Sequence, residues 1–240
     1  MAYLKVRIFE IFTSIEGEGI LYGTKTLFVR LAGCPFTCFY CDTAEALPMD
    51  SGKEYTIEDA CNLIEKNLEE KTYKVNFTGG EPLVQYEAVT EMAKYVKSKN
   101  ISTYLESSCF DSSKFSHVLP FIDFAKIEFK TPDAEFVDSN HYANLMENAL
   151  DCLKNAIASN KVTYIKIVVS SKTKLDFFKE IVEKIFKTTS KNKLSGFFIQ
   201  PTFGIAEPSL DQLLKFYDLV YPYYKEVRVV PQLQKLIGIP

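Results

Sequence analysis

Gly33-Cys34-Pro35-Phe36-Thr37-Cys38-Phe39-Tyr40-Cys41-Asp42-Thr43 is the stretch on which the reading of this chain turns. Its cysteines are spaced C-x3-C-x2-C, and three thiolates so close together can converge on one metal centre. A disulfide framework is a poor explanation, because three is odd and the chain is long enough to fold without staples. Structural zinc usually takes four ligands, often in paired C-x2-C knuckles. A 4Fe–4S cluster has four irons, so three cysteines leave one iron open to an outside ligand. Phe36, Phe39 and Tyr40 give the loop an apolar shield, which strengthens the effect of local dipoles on a cluster. Cys61 and Cys152 lie on apolar helix faces and read as core residues. Cys109 follows a strand, where it is either core or within reach of a metal.

The surroundings of that loop are those of an ordinary globular α/β protein. The chain has 240 residues, 47% hydrophobic and 25% charged, which excludes disordered, collagen-like and coiled-coil classes. Lys and Arg total 28 against 31 Asp and Glu, a net charge of −3, so direct nucleic-acid binding is not expected. No apolar run approaches the roughly 18 residues of a membrane span. The opening MAYLKVRIFEIF has no signal-peptide core, so a cytoplasmic location is expected. No linker or internal repeat divides the sequence, and 1–240 is expected to be a single domain.

Short apolar strands alternate with helical patterns. Strands are expected at 5–12, 26–32, 74–78, 101–106, 123–129, 163–169, 196–200 and 226–230, and helices at about 56–70, 85–99, 143–159, 174–188 and 209–220. Thr56 with Asp59 gives the first helix a capping-box-like start, and Ile57, Cys61, Ile64 and Leu68 share one face. This alternation implies a mostly parallel sheet with outer helices. About six βα units are too few for a closed eight-fold barrel, leaving a partial barrel or a doubly wound sheet. Several strands also carry two different faces. Ala125, Ile127 and Phe129 oppose Lys126, Glu128 and Lys130; Ile165, Ile167 and Val169 oppose Lys166, Val168 and Ser170; Val75 and Phe77 oppose Asn76, Thr78 and Gly80. A closed apolar barrel interior would not accept those charges. An open, curved sheet around a polar cavity would, and so would a two-layer protein with one solvated face.

The C-x3-C-x2-C loop, with an aromatic before its last cysteine, resembles the signature of the radical S-adenosylmethionine (SAM) enzymes. Thr78-Gly79-Gly80-Glu81-Pro82, between a strand and a helix, resembles that superfamily's GGEP motif. Without the cysteines it would be an ordinary turn whose glycines permit close backbone approach. The resemblance implies a 4Fe–4S cluster held by Cys34, Cys38 and Cys41, whose open iron chelates SAM. One electron then cleaves SAM, and the 5′-deoxyadenosyl radical takes a substrate hydrogen. Ser14-Ile15-Glu16-Gly17-Glu18-Gly19, the approach Phe28-Val29-Arg30-Leu31-Ala32-Gly33 and the trailing Asp42-Thr43 narrow the match. Together they resemble the 7-carboxy-7-deazaguanine synthases, over essentially the whole chain.

That resemblance implies a modified partial (β/α) barrel, a homodimer, and the cofactors SAM, 4Fe–4S and Mg²⁺. It implies radical ring contraction of 6-carboxytetrahydropterin to 7-carboxy-7-deazaguanine with loss of ammonia, on the way to queuosine or archaeosine, and an electron donor such as flavodoxin or ferredoxin. Ile15, Glu16 and Gly17 map to pterin contacts, with Glu16 where the family has Gln; a carboxylate accepts from an amino-pyrimidine edge but does not donate. Arg30 suits a substrate carboxylate, although it could equally be a structural ion-pair residue. Thr78 and the terminal Pro240 also map to substrate contacts. Thr43 maps to the Mg²⁺ ligand, where locally it could simply cap a turn. Gly79, Gly80 and Glu81, then Glu128, Phe129 and Lys130, then Gln200, Pro201, Thr202 and Phe203, map to SAM contacts, and Glu106 or Ser108 is placed at the SAM ribose.

Two departures stand out. Glu128-Phe129-Lys130 replaces Ser-Pro-Lys, and Gln232-Leu233-Gln234-Lys235 replaces Gln-x-His-Lys. His117 and His141 lie outside every motif, so no histidine acid–base step is expected. The competing readings are a radical SAM enzyme for another substrate, such as a glycyl-radical activase, and a non-catalytic cluster or zinc module.

Overall fold

The computed structural model describes residues 4–134 and 139–239. In chain order the strands and helices are β1 (Lys5–Ile15), β2 (Lys25–Leu31), β3 (Lys53–Thr56), α1 (Ile57–Asn67), β4 (Lys74–Gly79), α2 (Tyr86–Ser98), β5 (Ser102–Ser107), α3 (Ser112–Val118), β6 (Phe124–Glu128), α4 (Ser139–Ala158), β7 (Val162–Val169), α5 (Leu175–Thr188), β8 (Gly196–Pro201), α6 (Leu210–Val220), β9 (Arg228–Val229) and α7 (Leu233–Ile237). Among the described residues they form one nine-stranded sheet in the order β3-β1-β2-β4-β5-β6-β7-β8-β9. From β2 to β9 neighbouring strands run parallel, while β1 is antiparallel to both β2 and β3. Nine strands without closure, helices outside, make the partial barrel that the family resemblance implied, one of the two architectures the strand–helix alternation left open.

The eight expected strands are all present, with ends shifted by a few residues. β1 runs on to Ile15 because its two halves pair with different strands: Lys5 to Ile8 face β3, and beyond an irregularity at Ile8/Glu10 the chain follows β2. β9 shrinks to two residues. Three elements carry no apolar run long enough to announce themselves: edge strand β3, and the short helices α3 and α7.

The outer helices cover the apolar strand faces. Thr56 caps α1 by accepting from the Asp59 amide at 3.1 Å, and the helix buries Ala60, Cys61 and Ile64. α5 buries Phe178, Ile181, Val182 and Ile185 on one stripe. Val75, Phe77, Ala125, Ile127, Phe129, Ile165, Ile167 and Val169 join these helices in one core. Cys61 and Cys152 belong to it, and so does Cys109. The tyrosines of 217–224 divide: Tyr217 and Tyr224 pack on the core, while Tyr221 and Tyr223 are exposed.

Candidate active site

The other strand faces line a cavity of about 840 Å³, near the upper end of ligand-site volumes and roomy enough for two small molecules. Parallel strand ends position its rim. The register sets Arg30 beside Thr78 across β2 and β4, Glu106 beside Lys126 across β5 and β6, and Glu128 beside Lys166 across β6 and β7. Across β5–β6 and β6–β7, inward-facing side chains of opposite charge therefore sit side by side.

The cysteine loop leaves the end of β2 and lies over this rim, with Cys34, Cys38 and Cys41 all half-buried, free of disulfides and lining the cavity. The Thr78–Pro82 turn holds it there. Gly80 donates to Leu31 O at 3.0 Å and Glu81 to Gly33 O at 2.8 Å. A Cβ on Gly80 would sit 2.4 Å from Gly33 O, and one on Gly79, whose φ is +135°, 2.2 Å from Leu31 O. Both glycines are thus demanded by this chain's own backbone. The buried Glu81 carboxylate ties the turn to the end of β5, accepting from the Ser107 hydroxyl (2.8 Å), the Ser108 amide (2.7 Å), the Ser108 hydroxyl (2.6 Å) and the Leu83 amide (2.9 Å).

These residues fit a cluster. Burial pushes the Cys34 thiol up to about 12 and also raises Cys38 and Cys41, with Lys130 partly offsetting the effect at Cys38. Three thiolates here need a cationic group to neutralise them, which iron supplies. The buried Tyr40 hydroxyl beside them has no hydrogen-bond partner among the described residues. Among the described residues no set of three His, Cys, Asp or Glu side chains converges as for a single ion; a multi-iron cluster needs its thiols spread apart. Thr43 Oγ1 is 3.1 Å from Arg30 Nη1, and Arg30 Nε is 2.7 Å from Glu10. That hydroxyl is a hard-oxygen donor with the Asp42 carboxylate 3.5 Å away, and among the described residues no group of three acidic, His or Cys side chains encloses it, so a Mg²⁺ ion there needs substrate and water oxygens.

Opposite the cluster loop, the segment after β1 enters the cavity. Glu18 is its electrostatic centre. Oε2 takes Lys166 at 2.6 Å, and Oε1 takes the side-chain amides of Gln232 (2.8 Å), Gln200 (3.2 Å) and Gln234 (3.2 Å). Burial works against its ionisation, but Lys166 and Lys126 prevail and hold the carboxyl down at about 2. Glu128 is treated similarly, with Lys130 at 2.5 Å, Lys126 at 2.8 Å and Lys166 at 3.3 Å. Glu16 lies deeper and is raised to about 7 by burial, against the pull of Lys74.

Most of the residues singled out from the sequence converge on this cavity: Ile15, Glu16, Gly17, Arg30, Thr43, Thr78, Gly79, Gly80, Glu81, Glu128, Lys130, Gln200, Pro201, Thr202 and Phe203 with the three cysteines. Phe129 is the exception. Its side chain is fully buried in the core on the helix side and its N–H donates to Lys166 O at 3.0 Å, which leaves only its carbonyl for a ligand. Pro240 lies outside the described residues. Glu106 and Ser108 both line the cavity, whereas Cys109 does not. Sequence reasoning did not assign site roles to Glu18, Lys126, Lys166, Asp42, Gln232 or Gln234. The period-two polar faces signalled the two lysines; nothing local signalled that Gln232 and Gln234 would meet Glu18.

A three-cysteine loop over the open end of a polar-lined partial barrel defines a radical SAM enzyme. The fold agrees with solved structures of that class: QueE from Escherichia coli superimposes with a TM-score of 0.64 at 18% identity, covering 95% of this chain and 94% of that one. A radical SAM methyltransferase from Sphaerobacter thermophilus gives 0.63 at 12% identity, covering 87% and 66%. A family model described as a 4Fe–4S single cluster domain matches residues 15–149. The 7-carboxy-7-deazaguanine synthase of Methanocaldococcus jannaschii is 31% identical over 244 residues, covering 96% of this chain and 98% of that protein. The chain belongs to the 7-carboxy-7-deazaguanine synthase family.

Proposed function

We propose that this chain carries out the reaction for which its family is named, the ring contraction of 6-carboxy-5,6,7,8-tetrahydropterin to 7-carboxy-7-deazaguanine with loss of ammonia, supplying deazapurine tRNA bases such as queuosine or archaeosine. The observation that carries this reading is that the cysteine loop, the Thr78–Pro82 turn and the Ile15–Glu18 segment all face one cavity. We read 1–240 as a single radical SAM domain.

Cys34, Cys38 and Cys41 hold the 4Fe–4S cluster, and the cluster with SAM supplies, when bound, the radical that starts the chemistry. The remaining work belongs to the chain. Gly79, Gly80 and Glu81 present backbone polar groups beside the cluster loop for the methionine end of SAM. Glu128, the Phe129 carbonyl, Lys130 and Gln200 to Phe203 border the rest of it. Lys130 also sets positive charge near Cys38 and the Tyr40 ring (5.6 Å), which favours a more reduced, more negative cluster. Arg30, already oriented by Glu10 and Thr43, presents its remaining guanidinium edge to the substrate carboxylate. Ile15, Glu16, Gly17, Thr78 and Pro240 contact the pterin, and Thr43 shares Mg²⁺ with substrate oxygens. Equal activity of Thr43→Ala and wild type across a Mg²⁺ titration would remove that role. A flavodoxin- or ferredoxin-type donor and a homodimer complete the reading. No helix among the described residues is long and apolar enough to cross a membrane.

The deciding experiment is an anaerobic reaction of reconstituted protein with SAM, a strong reductant, Mg²⁺ and 6-carboxytetrahydropterin, followed by mass spectrometry. Formation of 7-carboxy-7-deazaguanine is expected, with Gln234 serving in place of the family's His. Release of 5′-deoxyadenosine without that product would move the protein to another substrate of the same chemistry.

A further inference from the structure

Lys74 is a fully buried lysine that no step above uses. It starts β4 on the face shared by Asn76 and Thr78, beneath the cavity. Its Nζ lies 2.6 Å from Glu16 Oε2 and 2.7 Å from Thr26 Oγ1, and it is boxed by the rings of Tyr104 (4.8 Å) and Phe28 (5.7 Å). Asn76 Nδ2 donates to the same Glu16 Oε2 at 3.3 Å and to Glu106 Oε2 at 3.1 Å. Both protein donors to Glu16 therefore act on one oxygen. Among the described residues none reaches Oε1, although Glu16 borders the cavity.

We propose that Lys74 is a positioning residue for the pterin: by gripping Oε2 it fixes the Glu16 side chain so that Oε1 accepts an N–H from the substrate's amino-pyrimidine edge. This rests on the proposed function. It also explains how a carboxylate can stand where the family carries a neutral glutamine. A buried ammonium and a buried carboxylate are each costly alone and tolerable as a hydrogen-bonded pair, so residues 16 and 74 form one unit. Replacing one strands the other, while replacing both removes the problem.

The charged and titratable groups facing Glu16 are Lys74 from β4, Tyr104 and Glu106 from β5, Tyr164 from β7 and Glu18 from its own segment. Only Lys74 among them makes a hydrogen bond to it. Glu16 sits at about 7, and Lys74 lowers that value. Without the lysine the carboxylate is lost at a higher pH.

The test is steady-state kinetics of reconstituted enzyme from pH 6 to 9 for wild type, Lys74→Met, Glu16→Gln and the double variant, with thermal melts to follow folding. For Lys74→Met a rise of about tenfold in pterin KM is expected, with kcat and the SAM KM within about threefold of wild type. The acid limb of kcat/KM should move to higher pH. In the double variant that limb should vanish, with pterin KM closer to wild type than in either single variant, and with its fold retained even if a single variant fails to fold. A pterin-active wild type whose Lys74→Met variant keeps its KM and pH profile overturns the inference alone. So do effects of the two substitutions that simply multiply. A wild type inert toward the pterin overturns the proposed function and this inference with it.

Discussion

On β6 and the two residues after it, Ala125, Ile127 and Phe129 point toward the helices, while Lys126, Glu128 and Lys130 point into the cavity. The two sets are buried to similar extents, yet one is held by packing and the other by charge pairing. Other strands of the sheet repeat the division: Ile165 and Ile167 against Lys166 on β7, Val75 and Phe77 against Lys74 and Asn76 on β4. An apolar face is forgiving of who its neighbours are, provided volume is conserved. A buried polar face is not, because every charge left without its partner carries a desolvation cost. The apolar face therefore sets stability in small increments, and the polar face sets a specific geometry that fails all at once.

Substitutions on each face sharpen that contrast. The largest effect is expected at the rim, where Cys34→Ala should abolish both cluster absorbance and turnover while leaving the melting profile of the apo protein close to wild type, since the thiol is only half-buried. On the helix side, Phe77→Ala removes a fully buried ring and should cost about 3–5 kcal/mol in denaturant unfolding, with residual activity in the folded fraction. On the cavity side, Lys166→Met keeps the volume but takes from Glu18 the lysine that pairs with it and from Glu128 one of its three. It should cost roughly 3 kcal/mol and, unlike Phe77→Ala, destroy activity in molecules that remain folded.

Acid should expose the same asymmetry without mutation. Glu18 is held at about 2, below its unfolded value, so its stabilisation is complete above about pH 4.5 and is lost as pH falls toward 2. The integrated loss is on the order of 3 kcal/mol. Glu16, raised to about 7, works in the opposite sense: its carboxylate costs stability as pH rises from about 4.5 to 7. Unfolding free energies measured across pH 2–8 in wild type and Lys166→Met check this, because the variant should lose most of the acid-dependent part. The smallest effect is expected outside both faces. The exposed Lys184–Glu180 pair on α5, at 2.7 Å, should contribute under about 0.5 kcal/mol, read from Lys184→Ala melts at low and high salt.

The polar strand faces were legible before the fold because alternation along a strand is a local property: a period of two assigns Lys126 and Glu128 to one face whatever the strand pairs with, but whether that face lines a cavity or meets solvent is decided by the curvature of the sheet. Phe129 shows the limit of motif mapping. It falls inside a matched segment, but the same period sends its side chain to the core and its N–H is taken by Lys166 O, so only its carbonyl remains for a ligand. Edge strand β3 and helices α3 and α7 escaped notice because short elements owe their existence to neighbours rather than to their own pattern.

The sequence by itself determined the cysteine spacing, the strand–helix alternation and which residues of each strand share a face, since all three follow from covalent order and backbone period. Tertiary structure alone decided the partners. Lys166 reaches Glu18 across 148 positions, Gln232 reaches it across 214, and Lys74 reaches Glu16 across 58. No local rule can choose which of the cavity-facing Lys and Glu side chains will pair. That choice is made by the register of parallel strands and the curvature that brings β1, β4 and β7 to one cavity, where burial makes each unpaired charge too costly to keep.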